Sequence, residues 1–133
     1  MKALKTTIAL ALTPMLIVSC QKREIKNNIQ GSTYNHFLFE TEVECLAAQP
    51  TDFLLNCFQS LHFIDEDEAE IILTDIVNHV EYKVKRGKII LYSTSDSPDI
   101  ADQMEFDYIS ENELMHVESN TRWLLQTGSS PWE

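Results

Sequence analysis

Between residues 79 and 85 apolar and polar side chains alternate with a period of two, and that pattern admits little besides antiparallel β structure. Val80, Tyr82 and Val84 face one way; His79, Glu81, Lys83 and Lys85 face the other. This is a half-buried strand. Arg86, Gly87 and Lys88 form a tight turn, and Ile89 to Thr94 is the return strand. Residues 81–92 therefore read as a β-hairpin.

The same period governs most of the chain. Met104, Phe106 and Tyr108 alternate with Glu105 and Asp107, Ser110 to Asn112 turn the chain, and Glu113 to Glu118 return. Asn120 turns it again, and Arg122 to Gln126, with Trp123, is a last strand. Upstream, Ser60 to Ile64 and Ala69 to Asp75 are strands joined by the acidic turn Asp65, Glu66, Asp67 and Glu68. Thr33 to Val43 is strand-like, with Phe37, Phe39 and Val43 on one face. Only residues 44–58 break the pattern. Leu46, Ala47 and Ala48 precede Pro50, and Thr51 and Asp52 look like helix caps before Phe53, Leu54 and Leu55. A short helix or turn is expected within residues 46–57. With about eight strands in one small domain, the expected fold is all-β: an antiparallel sheet curled into a barrel that removes its edges.

The N-terminus follows a different logic. Lys2 and Lys5 precede the uncharged apolar run from Thr6 to Val18. Residues 1–19 read as a signal peptide, too short for a comfortable membrane span. The run ends in Leu16, Ile17, Val18, Ser19 and Cys20, which resembles the bacterial lipobox. That resemblance implies cleavage before Cys20, a lipid on its sulfur and acylation of the new amine. More than one acyl chain gives stable anchoring. Gln21 follows the cysteine, which points to the outer membrane of the cell envelope. Residues 20–30 are polar and are expected to be a tether. The domain is expected over residues 31–127, and residues 128–133 as a C-terminal tail.

Removing Cys20 from three cysteines leaves Cys45 and Cys57. In an oxidising compartment this pair is expected to form a disulfide. Removing Lys2 and Lys5 from ten basic residues leaves eight, against 21 acidic ones, for a formal charge of −13 on the mature chain. That balance excludes a nucleic-acid partner. It also disfavours docking of the protein surface on anionic lipid, while permitting a basic protein partner.

The order of elements is similar to the lipocalin-like domains of small bacterial lipoproteins. Gly31, Ser32, Thr33 and Tyr34 open the domain; Leu61, His62, Phe63, Ile64 and Asp65 form a strand ending in an acidic turn. Tyr82, Val84, Gly87, Ile89 and Leu91 mark the hairpin, and Phe106, Asp107, Tyr108, Ile109, Glu113 and Leu114 the next strand pair. The resemblance spans residues 31–126 and implies an eight-stranded calyx-like barrel. Tyr34 stands where a tryptophan is common, and the segment from Cys45 to Cys57 is an insertion. No ligand-binding residue carries over.

Chemistry-bearing clusters are sparse. His36, His62, His79 and His116 lie on different expected strands without ligand spacing, so no metal site is expected. Asp65 to Glu68 and Glu70 lack the spacing and glycine of a calcium loop. No glycine-flanked serine, paired thiol and base, or phosphate-cradling loop occurs. Neither an enzyme nor a cofactor is expected. Phe37, Phe39, Phe63, Tyr82, Phe106, Tyr108 and Trp123 are expected to fill the core. The expected role is a non-enzymatic envelope lipoprotein, held to the membrane through Cys20, that binds a small apolar ligand or a protein partner. The alternatives are an inhibitor of a basic enzyme such as lysozyme and an accessory subunit of an envelope complex.

Overall fold

Alternating β-branched and aromatic residues build the strands, and their register builds the barrel. The computed structural model describes residues 20–133; the signal peptide read over residues 1–19 lies outside the described residues. Eight strands follow in order: β1 (Thr33–Phe37), β2 (Phe58–Phe63), β3 (Glu68–Ile72), β4 (Val77–Lys85), β5 (Lys88–Tyr92), β6 (Gln103–Ser110), β7 (Glu113–His116) and β8 (Thr121–Leu125). Each pairs antiparallel with the next, and Tyr34–Leu125 and Asn35–Leu124 join β1 to β8 and close the ring. Two short helices accompany them: α1 over residues 20–29 and α2 over Glu42–Ala48.

The hairpin read from residues 81–92 is present, with Tyr82 opposite Leu91 and Val84 opposite Ile89. Its turn is two residues, Arg86 (φ 52°) and Gly87 (φ 76°). Two consecutive left-handed residues match the twist of the flanking strands. A slip of one residue would carry Tyr82 and Val84 from the core to water.

The barrel interior is filled by its own side chains. Tyr34, Leu61, Phe63, Tyr82, Phe106, Leu114 and Trp123 are all buried. Phe63 meets Tyr34 and Tyr82 edge-on at 6.0 and 5.0 Å, and Phe106 meets Trp123 edge-on at 5.4 Å. Such pairs add to simple area burial. Phe37 and Phe39 do not join this core. Phe37 is three residues from Tyr34 and so points to the outer face, where it packs on Trp132 at 4.5 Å. The C-terminal tail is irregular as expected, but Trp132 fastens it to the outside of β1 and β2.

The expected tether is a correction. Residues 20–29 are helical, and Ile25 and Ile29 are buried in the barrel core. Four residues apart, they lie on one helix face, while Lys22, Arg23 and Asn27 stay in water. Mean polarity concealed this two-faced pattern. Gly31, at φ 77°, ends the helix in the left-handed conformation that favours glycine. Its amide donates to the Phe63 carbonyl at 2.8 Å, and the Asn28 amide donates to the Tyr108 hydroxyl at 3.0 Å. The domain thus begins upstream of Gly31, with α1 closing one end of the barrel.

The insertion also differs from expectation. β1 stops at Phe37, and Val43 lies on α2, not on a strand. Thr41, not Thr51 or Asp52, caps the helix by accepting from the Glu44 amide at 3.1 Å. Residues 51–57 are not helical. Gln49 holds them instead: its amide donates to the Leu55 carbonyl at 3.1 Å and its oxygen accepts from the Leu55 amide at 2.8 Å. The disulfide between Cys45 and Cys57 is formed and ties α2 to the start of β2.

Candidate functional site

Strand direction divides the molecule into two ends. β1 runs away from α1, so the insertion between β1 and β2 stands at the far end. The loop between β5 and β6 covers that end too, with Ile100 tucked into the core. Asn78 anchors this loop. Fully buried, it donates to the Ile71 carbonyl and to Asp99, and it accepts from the Asp99 amide at 2.9 Å.

The four histidines do not converge. His62 lies on the outer face beside Thr33 Oγ1 at 2.9 Å, and His79 is 3.3 Å from Glu70 on the outside of β4. His36 and His116 both point inward at the far end. His36 stacks on Trp123 at 5.8 Å. His116 Nδ1 meets Ser119 Oγ at 2.5 Å, and its Nε2 is buried without a partner among the described residues. Burial pushes the His116 pKa down, His36 adds to the shift and Glu118 opposes it. Among the described residues no three histidine, cysteine, aspartate or glutamate side chains come together as metal ligands.

The acidic turn is occupied by its own structure. Asp65 accepts from the amides of Asp67 and Glu68, both at 2.8 Å, and these bonds hold its carboxyl below the usual range. The Tyr82 hydroxyl donates to the Asp65 carbonyl at 2.5 Å. Burial, then the charges of Asp65, Asp67 and Glu66, push Tyr82 up to about 12. This cluster stabilises a hairpin tip.

The exposed apolar side chains are where the arrangement departs from a plain soluble barrel. Leu38, Val43, Leu46, Phe53 and Leu54 all project from the insertion, Leu54 with 87% of its surface in water and Val43 with 75%. A groove at the foot of the insertion is lined by Phe37, Leu38, Phe39, Leu124 and Trp132, with Glu40 and Glu133 beside them. Asn56 of the insertion donates to the Thr74 carbonyl in the turn after β3, where Ile76 is also exposed. Carboxylates of Glu40, Glu42, Glu44 and Asp52 surround these groups, and no lysine or arginine occurs between Lys26 and Lys83. Exposed apolar side chains interspersed with one sign of charge are suited to macromolecular contact. The sequence pattern places Phe37 and Phe39 in the core and reads Phe53 to Leu55 as part of a short helix or turn. The useful signal was the bare run Phe53-Leu54-Leu55 next to a cysteine, in a segment with no strand period.

Cys20, the expected lipid attachment point, is an exposed free thiol at the start of α1. None of the described helices is long and apolar enough to cross a membrane. Compared with protein-family models, with curated proteins and with solved structures, the chain matches none.

Proposed function

We propose that this chain is a non-enzymatic lipoprotein of the bacterial envelope, anchored in the outer membrane by acyl chains on Cys20, whose barrel is a rigid mount for a protein-docking surface. The observation that carries the reading is the pairing of a filled interior with the exposed apolar insertion. A small apolar ligand needs a concave, mostly apolar cavity, whereas Phe63, Tyr82, Phe106 and Trp123 are buried in the packed core of this barrel. The partner fitted by the far end is a protein with apolar anchors and basic residues around them, because the insertion offers leucines and a phenylalanine within a carboxylate rim.

Two measurements test this reading. Replacing Cys20 by Ser should abolish incorporation of a radioactive fatty acid, and persistent labelling refutes the anchor. A photo-crosslinker in place of Leu54, in the expressing bacterium, should give one discrete adduct that weakens when Glu42 and Glu44 become Lys. The same probe at Ile109, exposed on β6, should give none. No adduct at Leu54, or an equal one at Ile109, refutes the docking surface. A soluble basic enzyme such as lysozyme in the adduct makes the protein an inhibitor; a membrane protein that also co-purifies in detergent makes it an accessory subunit.

A further inference from the structure

Within the net charge of −13 lies a local cationic cleft, beside the acidic turn Asp65–Glu68 at the same end of the barrel. Two adjoining clefts flank α1. One is lined by Lys22, Arg23, Lys26 and Glu66 together with Asn27 and Gln30. The other is lined by Lys22, Lys85, Arg86, Lys88 and Glu105 between α1 and the β4–β5 turn. Lys22 belongs to both. Six of the eight basic residues after Cys20 thus meet here, facing two carboxylates. The far end has no lysine or arginine on its insertion.

Of the four cations in the second cleft, all but Lys88 are unspent among the described residues. Lys88 reaches Glu105 at 3.8 Å and Asp107 at 3.5 Å. Among the described residues Lys22, Lys85 and Arg86 have no carboxylate within ion-pair distance. In a chain with a large excess of carboxylates, unpaired cations gathered in one cleft invite an external anion. Position names its source. Cys20 precedes Lys22 by two residues on the same helix, about 3 Å of axial rise. Acyl chains at Cys20 bring the cleft to the level of lipid headgroups.

We propose that the Lys22–Lys85–Arg86–Lys88 cleft docks on the phosphates of an anionic phospholipid surface. The height of the cleft rests on the proposed acylation of Cys20; the charge complementarity does not. Basic side chains next to a lipid anchor bind anionic headgroups, and the attraction decays within a Debye length. The net charge argues against docking of the surface at large, and the cleft is a local exception to it.

The test is a lysine footprint of the protein as isolated from the expressing bacterium. It is mixed with vesicles of phosphatidylcholine alone, or of phosphatidylcholine with phosphatidylglycerol, and labelled with an amine-acetylating reagent. Lys22, Lys85 and Lys88 are expected to be acetylated about fivefold more slowly on the anionic vesicles, with Lys83 changing less and high salt removing the difference. Replacing Lys22 and Lys85 together by Glu, both exposed, should remove the protection of Lys88. Equal labelling on the two vesicle types overturns the proposal. Failure to float with phosphatidylcholine vesicles counts against the anchor instead; salt-sensitive flotation with anionic vesicles alone then still supports the cleft, and flotation with neither overturns both.

Discussion

At the residue scale, the buried polar groups decide what is fixed and what titrates. Asn78 is a core position on β4 by its parity, and every second neighbour there is apolar. It is tolerated because its amide group is satisfied by backbone carbonyls and Asp99, which avoids the cost of an unpaired buried amide. His116 is the opposite case. Its Nε2 has no partner among the described residues, and its pKa is lowered chiefly by burial. The fold therefore favours the neutral ring. With a folded value below the ordinary 6.5, the contribution is present above pH 6.5 and is lost as pH falls through the folded value. Stability should decline on acidification across that window, and His116→Phe should flatten this part of the decline while leaving the neutral-pH value nearly unchanged. Urea midpoints at pH 7.5 and pH 5 measure both. An unchanged acid slope in the variant refutes the assignment.

At the scale of elements, legibility followed the strength of the periodic signal. The β4–β5 hairpin was readable because Val80, Tyr82 and Val84 alternate with polar residues and Gly87 marks the turn. α1 was not, because its apolar face consists of Ile25 and Ile29 alone within a polar segment. Two residues four apart are a helix signal only when a barrel end waits to receive them. α2 was misplaced because Thr41 and Thr51 offer rival caps. The pair Thr41 and Glu44 has the capping-box spacing, which was the signal to follow, and Pro50 marks the helix end. A helix docked on the core and a tether differ sharply under mutation. Ile29→Ala should cost about 2–4 kcal/mol, as a fully buried aliphatic truncation does. The urea midpoint should fall, and amide exchange should quicken in residues 20–29. A tether predicts no change in either.

At the scale of the whole molecule, the barrel closure was legible and the distribution of charge was not. Lys22, Arg23 and Lys26 are remote in sequence from Lys85, Arg86 and Lys88, and only the strand register brings them to one end. The same register places the disulfide-tied insertion at the other. Closure of the ring depends on the β1–β2 and β1–β8 pairings, neither of which includes a cysteine, so the bridge is separable from the barrel. It joins residues 12 apart in sequence, and its loop-closure contribution is about 3 kcal/mol in the chain-entropy model. Replacing Cys45 and Cys57 together by Ser should lower stability by up to about that amount. Far-ultraviolet circular dichroism should keep its β signature. The proposed docking surface should suffer more, since Leu46, Phe53 and Leu54 are exposed and have little packing to hold them once the bridge is gone. The Leu54 crosslink should therefore weaken although the barrel persists. If the variant keeps a wild-type crosslink, the insertion does not need its staple to present the surface; if the β signature is lost, the bridge belongs to the barrel itself.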